Sequence, residues 1–163
     1  METKKTDTTT DGKTGTVSIS RKFNLSLKKV WRAWSEGEEF KKWWGPKEYK
    51  CTFCSFSFKE GGSFFANMIS DKGEEIWSVG KYTEIIHMKE IVYNDYFADK
   101  DGNIVSPEFY NMVGDWSDVK VHVLFEEADN ETRMTVQQTG VPEEMIKDCT
   151  MGWNSSFDKL DRI

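Results

Sequence analysis

Two tryptophan-rich stretches decide the fold of this chain: VWRAW at residues 30–34 and WWGP at residues 43–46. Leu27 and the apolar residues of the first stretch fall at i, i+3, i+4 and i+7, so they share one face of a helix. Ser26 is suited to be the N-cap of that helix, and the Gly-Pro pair ends a second short helical segment. Tryptophan is large, and its N–H needs a partner when buried, so these rings predict either an aromatic core or the wall of an apolar pocket.

A series of strands is predicted around these two helices. Alternating apolar residues and runs rich in β-forming residues predict one strand before the helices and six after them. The predicted strands cover residues 17–23, 49–58, 64–69, 76–86, 91–97, 119–125 and 132–138. Gly80 lies inside one of them and predicts a bulge or a sharp bend.

A long helix is predicted at the C-terminal end. Pro142 suits the first helical position, and two glutamates follow it in the turn where the helix dipole favours negative charge. Apolar residues then recur every three or four positions as far as Ile163. Antiparallel strands with segregated helices predict one α+β domain over residues 16–163. Residues 1–15 carry almost no apolar side chains and are predicted to form a disordered tail.

The tryptophan stretches belong to a longer set of motifs. Together with FKEGGSF at 58–64, GKYTEI at 80–85 and GWNSSFDKL at 152–160, they resemble the signature of the activator of heat-shock protein 90 ATPase homologue family. That family belongs to the START-like (SRPBCC, helix-grip) superfamily. The resemblance covers residues 16–163 and implies a curved antiparallel sheet of about seven strands wrapped around the long C-terminal helix. It also implies an apolar ligand pocket between the helix and the sheet.

Composition narrows the possible partners. The net charge is −6, with acidic and basic residues interspersed, which argues against nucleic acid or an anionic membrane surface as the main partner. No apolar run is long enough for a membrane span. The three cysteines, with no recognisable signal peptide, predict reduced thiols and a cytoplasmic location. Cys51 and Cys54 form a C-x-x-C pair in a predicted strand, where positions i and i+3 point to opposite faces, so we expect structural thiols.

We therefore predict binding of a small apolar or amphipathic ligand between the sheet and the C-terminal helix, with no cofactor and no metal. The candidate pocket residues are Trp31, Trp34, Trp43, Trp44, Trp77, Tyr82, Glu84, Trp116, Met134, Gln138, Gly152, Trp153 and Phe157. Each aromatic ring has ordinary core packing as its alternative. The alternative for Glu84 and Gln138 is contact with water at a strand end. A glycine within a helix indicates either close packing against a strand backbone or space kept for a ligand.

Two other functions remain open from the sequence. The family's name implies a chaperone-type protein-interaction module with a protein partner. Some members of the superfamily are enzymes of the polyketide-cyclase type, and such a reaction needs at least two polar groups converging in the pocket. No catalytic residue is predicted, because neither His87 nor His122 lies in a recognisable nucleophile–base or metal arrangement. Both are expected at the surface.

Overall fold

The computed structural model describes residues 13–163. Its strands are β1 Thr14–Phe23, β2 Tyr49–Lys50, β3 Cys54–Phe56, β4 Ser63–Ser70, β5 Glu75–Ile86, β6 Glu90–Ala98, β7 Val119–Ala128 and β8 Glu131–Pro142. Its α-helices are α1 Leu27–Ser35, α2 Gly37–Phe40 and α3 Ile146–Leu160, with 3-10 turns at Pro107–Tyr110 and Glu143–Met145.

The strands form one antiparallel sheet in the order β1-β8-β7-β6-β5-β4-β2, with β3 paired to β4. The sheet curls into a half-barrel, and the three helices cover its inner face. Side chains from that face and from the helices form a single apolar core. The predicted α+β helix-grip architecture is confirmed.

Helix α1 forms as the sequence predicts. Ser26 Oγ accepts a hydrogen bond from the backbone N–H of Lys29 at 3.2 Å, which satisfies one of the free donors of the first turn. Val30, Trp31, Ala33 and Trp34 are buried on the face that α1 turns towards the sheet.

The predicted strand over residues 49–58 is wrong as a single element. It is divided into β2 and β3, because the side-chain Oδ1 of Asn67 accepts hydrogen bonds from the backbone N–H groups of Thr52 and Phe53, at 2.9 and 3.0 Å. With this division, the sheet predicted to have about seven strands contains eight within residues 13–163. Cys51 lies in the connection between β2 and β3, Cys54 is the first residue of β3, and both are free thiols.

The predicted irregularity in β5 lies further along the strand than Gly80. The register between β5 and β6 shifts between Tyr82 and Glu84, which marks a bulge. Gly80 has a different role, because a Cβ there would lie 2.0 Å from the ring of Phe64. Glycine lets that ring pack flat on the sheet.

Both ends of the domain differ in detail from prediction. Pro142 is the last residue of β8, and α3 begins at Ile146, four residues later than expected. The first strand begins at Thr14, so Thr14 and Gly15 belong to the sheet rather than to the predicted tail. The rest of that predicted tail, apart from Lys13, lies outside the described residues. Within residues 13–163, no helix is both long and apolar enough to cross a membrane.

Candidate ligand-binding site

Two adjoining clefts lie between α3 and the inner face of the sheet. Their volumes are about 200 Å³ and 170 Å³. They share five lining residues, Trp44, Met68, Asp95, Gln138 and Cys149. These residues come from the segment after α2, from β4, β6 and β8, and from α3, so the shared wall exists only in the folded chain.

The clefts extend in two directions from this shared wall. The first reaches the long connection between β6 and β7, where Met112 and Trp116 line it. The second runs under the middle of α3, past Pro46, Gly152 and Trp153. Both are lined mainly by apolar side chains, which is typical of small-molecule sites.

Asp95 is the charged residue in the shared wall. Its Oδ1 is inaccessible to solvent and has no hydrogen-bond partner in the part of the chain that the structure describes. Burial raises the pKa of this carboxyl to about 7, although the backbone N–H of Tyr96 acts in the opposite direction. Asp95 is not among the site residues predicted from the sequence. The available signal was strand parity, because Asp95 alternates in step with Ile91, Tyr93 and Phe97 in a strand otherwise rich in β-forming residues.

Gln138 lies on the same wall, on β8. Its Oε1 accepts a hydrogen bond from Trp153 Nε1 at 2.8 Å, which fixes the indole of α3 against the sheet. Gln138 is buried in step with Met134 and Val136, as strand parity predicts. Of the two polar candidates from the sequence, this one borders the clefts.

Buried polar atoms without partners concentrate near the clefts. Within residues 13–163 there are four such side-chain atoms. Trp44 Nε1 and Asp95 Oδ1 belong to cleft residues, and the hydroxyl of Tyr93 lies two positions before Asp95 on the same strand. The fourth, Trp77 Nε1, lies on the other face of the sheet. Unpaired buried polar groups are uncommon in proteins. Each one needs an explanation, such as a bound ligand, a water molecule or a structural role.

Gly152 faces open space. A Cβ at this position would meet a single neighbour, Pro46 Cγ, at 3.9 Å, which is ordinary van der Waals contact. No strand backbone approaches it, so close packing does not explain this glycine. Of the two explanations that the sequence left open for Gly152, space kept beside the second cleft is the one that remains.

The predicted site residues divide into three groups. Trp44, Trp116, Gln138, Gly152 and Trp153 line the clefts. Trp31, Trp34, Trp43, Tyr82, Met134 and Phe157 are buried in the core instead. Trp77 and Glu84 neither line the clefts nor belong to the buried core.

The two remaining candidates were misplaced for different reasons. Trp77 stacks on Phe65 across the outer face of the sheet, with ring centroids 4.8 Å apart. Glu84 is exposed, because the bulge in β5 reverses the alternation of side chains after Tyr82 and turns Ile85 towards the core. Strand parity alone placed Glu84 on the wrong face.

Neither histidine lies in the clefts. His87 is exposed and contacts the edge of Trp31, with ring centroids 5.7 Å apart. His122 is half-buried on β7 and pairs with Glu90 of the neighbouring strand.

The curled sheet, the long C-terminal helix and the clefts between them define the class as a START-like helix-grip protein. The model of the family described as Activator of Hsp90 ATPase homolog 1-like protein matches residues 24–163. The chain belongs to this family, as its sequence motifs predict.

Solved structures share the fold of this chain. A protein from Arthrobacter aurescens is 26% identical, with a TM-score of 0.76 over 90% of this chain and 83% of its own. A protein from Mycobacterium smegmatis is 22% identical, with a TM-score of 0.74 over 93% and 91%. The AHSA1 protein from Silicibacter pomeroyi is 19% identical, with a TM-score of 0.73 over 90% and 95%. Comparison with curated proteins gave no match.

Proposed function

We propose that this protein binds a small apolar or amphipathic molecule in the two adjoining clefts between α3 and the sheet. The observation that carries the proposal is the shared wall, where an apolar surface surrounds a few polar groups. Asp95 and Trp44 each contribute a buried polar atom without a partner, and Gln138 contributes an ordered amide. An apolar surface with a few placed polar groups is the usual composition of a ligand site.

The size of the clefts favours a compact ligand. At about 200 and 170 Å³, each is smaller than the roughly 300–1,000 Å³ that is typical of pockets for drug-sized molecules. One aromatic ring system or a short branched chain fits this space better than a long acyl chain. The tryptophans around it provide flat apolar contact area.

Binding is best tested by NMR on the tryptophan indole N–H groups. Titration with indole, a compact neutral probe, is expected to shift the signals of Trp44, Trp116 and Trp153 saturably. The signals of Trp31 and Trp77, which lie outside the clefts, should stay in place. Shifts spread evenly over all seven tryptophans, or no saturable shift at all, would contradict the proposal.

A matched pair of helix variants sharpens the test. Gly152→Leu fills the second cleft and should weaken indole binding. Met151→Leu places the same leucine at the neighbouring exposed position, in exchange for an apolar side chain of similar size, and should leave binding unchanged.

A second candidate function is acid–base catalysis in the same clefts. Asp95 and Gln138 supply the two converging polar groups that such a reaction needs. A carboxyl whose pKa is raised to about 7 by burial exchanges protons readily near neutral pH. Turnover of a bound compound that is abolished in Asp95→Asn, with binding retained, would favour this function over binding alone.

The remaining inferences from the sequence stay predictions. A chaperone-type protein interaction rests on the family's description, and a cytoplasmic location rests on the three cysteines.

A further inference from the structure

We propose that the ligand of the clefts carries an amine head group, which Asp95 binds. This inference rests on the proposed function and adds the chemical class of the ligand. It follows from the charge and hydrogen-bonding character of the cleft walls.

The ionisable side chains that line the clefts carry negative charge only. Among residues 13–163, no lysine, arginine or histidine lines either cleft, and Asp95 is the single acidic residue in both linings. A ligand carboxylate would therefore meet a like charge and no cation. An ammonium group would meet a carboxylate in an apolar setting, where their attraction is stronger than in water.

The geometry also provides an acceptor for an N–H donor. Asp95 Oδ1 is buried and unpaired, so a donor on the ligand would satisfy it without displacing a protein contact. Gln138 Oε1 already accepts from Trp153 and has a second lone pair. Hydrogen bonds from a cation to a carboxylate are among the stronger kinds in proteins.

The aromatic rings around the carboxyl favour the same charge. Trp44 lines both clefts, Trp116 lines the first and Trp153 lines the second. The faces of tryptophan rings attract cations. Aromatic walls with one carboxylate thus match a compact amine better than an acid of the same shape.

Three probes with the same ring and tether test this inference: 2-phenylethylamine, 2-phenylethanol and 3-phenylpropanoate. Their affinities are measured by calorimetry at a pH of about 8, where a carboxyl with a pKa of about 7 is mainly ionised. The amine is expected to bind at least about tenfold more tightly than the alcohol, a difference of about 1.4 kcal/mol. The carboxylate is expected to bind most weakly.

Two variants locate the preference. Asp95→Asn keeps the shape of the side chain and should abolish the preference for the amine over the alcohol. Glu84→Gln makes the same change of charge at an exposed position on β5 and should keep it. Thermal unfolding without ligand shows whether each variant is folded, and the ranking in the unmodified protein needs no variant at all.

Each outcome bears on one proposal or on both. Equal binding of the three probes, or a preference that survives in Asp95→Asn, would overturn the amine assignment and leave the proposed function standing. If none of the three binds and indole does not bind, both proposals fail. If indole binds and the amine does not, the amine assignment alone is wrong.

Discussion

Tryptophans lie at both ends of the space between the helices and the sheet, but their indole N–H groups are satisfied at one end and one is unsatisfied at the other. At the closed end, near α1, the indole N–H of Trp34 donates to Met134 Sδ at 3.1 Å and that of Trp43 donates to the carbonyl of Ala33 at 2.8 Å. At the open end, Trp44 lines both clefts, and its N–H is buried without a partner. The satisfied rings form the core, whereas the unsatisfied ring borders the cleft. Trp43 and Trp44 are neighbours in the chain and both are buried, so burial alone does not distinguish a core ring from a ring that borders the clefts.

The largest effect is expected from breaking the closed end. Trp43 is fully buried and contacts the rings of Phe40 and Phe157. Trp43→Ala should lower the free energy of unfolding by about 3–5 kcal/mol, because it removes apolar contacts and leaves a cavity. Trp153→Ala should cost less, since Trp153 is partly exposed and borders space that is already open. Urea unfolding of both variants makes the comparison, and an equal loss of stability would show that the two ends are equally packed.

The next largest effect concerns the charge at the open end. The pKa of Asp95 is raised from 3.8 to about 7 by burial, so the folded state holds a proton that the unfolded state releases. Its contribution to stability is therefore greatest below about pH 4 and falls as pH rises towards 7. Each tenfold change in proton affinity is worth about 1.4 kcal/mol.

Asp95→Asn should remove this pH dependence. We expect the variant to be more stable than the unmodified protein above pH 7 by up to a few kcal/mol, with the difference disappearing near pH 4. The aspartate's neighbours Tyr93 and Cys149 have raised pKa values and stay neutral in this range. A difference between the two proteins that does not change with pH would show that Asp95 is ionised to the same extent in the folded and unfolded states.

A glycine pair tests whether the cleft is empty space. Gly152→Ala should raise the free energy of unfolding by about 1 kcal/mol, because alanine has the higher helix propensity and the added Cβ meets one atom at 3.9 Å. Gly80→Ala is the control at a tightly packed position and should be destabilising by about 1–3 kcal/mol, since its Cβ would overlap the ring of Phe64. Thermal or chemical denaturation measures both. A loss of stability in Gly152→Ala would mean that α3 lies closer to its neighbours than the structure has it.

The smallest effect is a change in thiol reactivity. Burial raises the pKa of Cys149 to about 11, so little thiolate is present at neutral pH and alkylation of the folded protein should be slow. An occupied cleft should slow the reaction of Cys149 further and leave that of Cys54 unchanged, because Cys54 does not line the clefts. Mass spectrometry of timed alkylation measures each site. Equal protection of both cysteines would point to a global stabilisation instead of binding at the clefts.

Local periodicity was sufficient for most of the elements. The helical spacing of the first tryptophan stretch predicted the buried face of α1, and the cap at Ser26 follows from its position. The prediction failed where a side chain from another strand intervened. Asn67 binds two backbone amides of the segment between β2 and β3 and divides the predicted strand. No local pattern around Thr52 predicts that its backbone N–H will bind the side chain of Asn67, fifteen positions away.

The candidate site shows the same limit. Five of the thirteen predicted residues line the clefts, because bulky aromatics of one apolar face look alike whether they pack in a core or border a cleft. Glu84 was misplaced by a one-residue bulge, which reverses every following side chain. Asp95, the residue that the charge argument depends on, was missed although its strand parity points inwards.

The sequence by itself determined the family, the order of helices and strands and the aromatic character of the core, because these depend on motifs and on local spacing. The tertiary structure alone decided which aromatic rings remain at an open surface. It also brought Asp95 of β6, Gln138 of β8 and Cys149 of α3 into the wall of the same clefts. The physical reason is that hydrogen-bond satisfaction and the burial that raises the pKa of Asp95 arise between segments distant in the chain. They form only when the sheet curls and α3 closes over it.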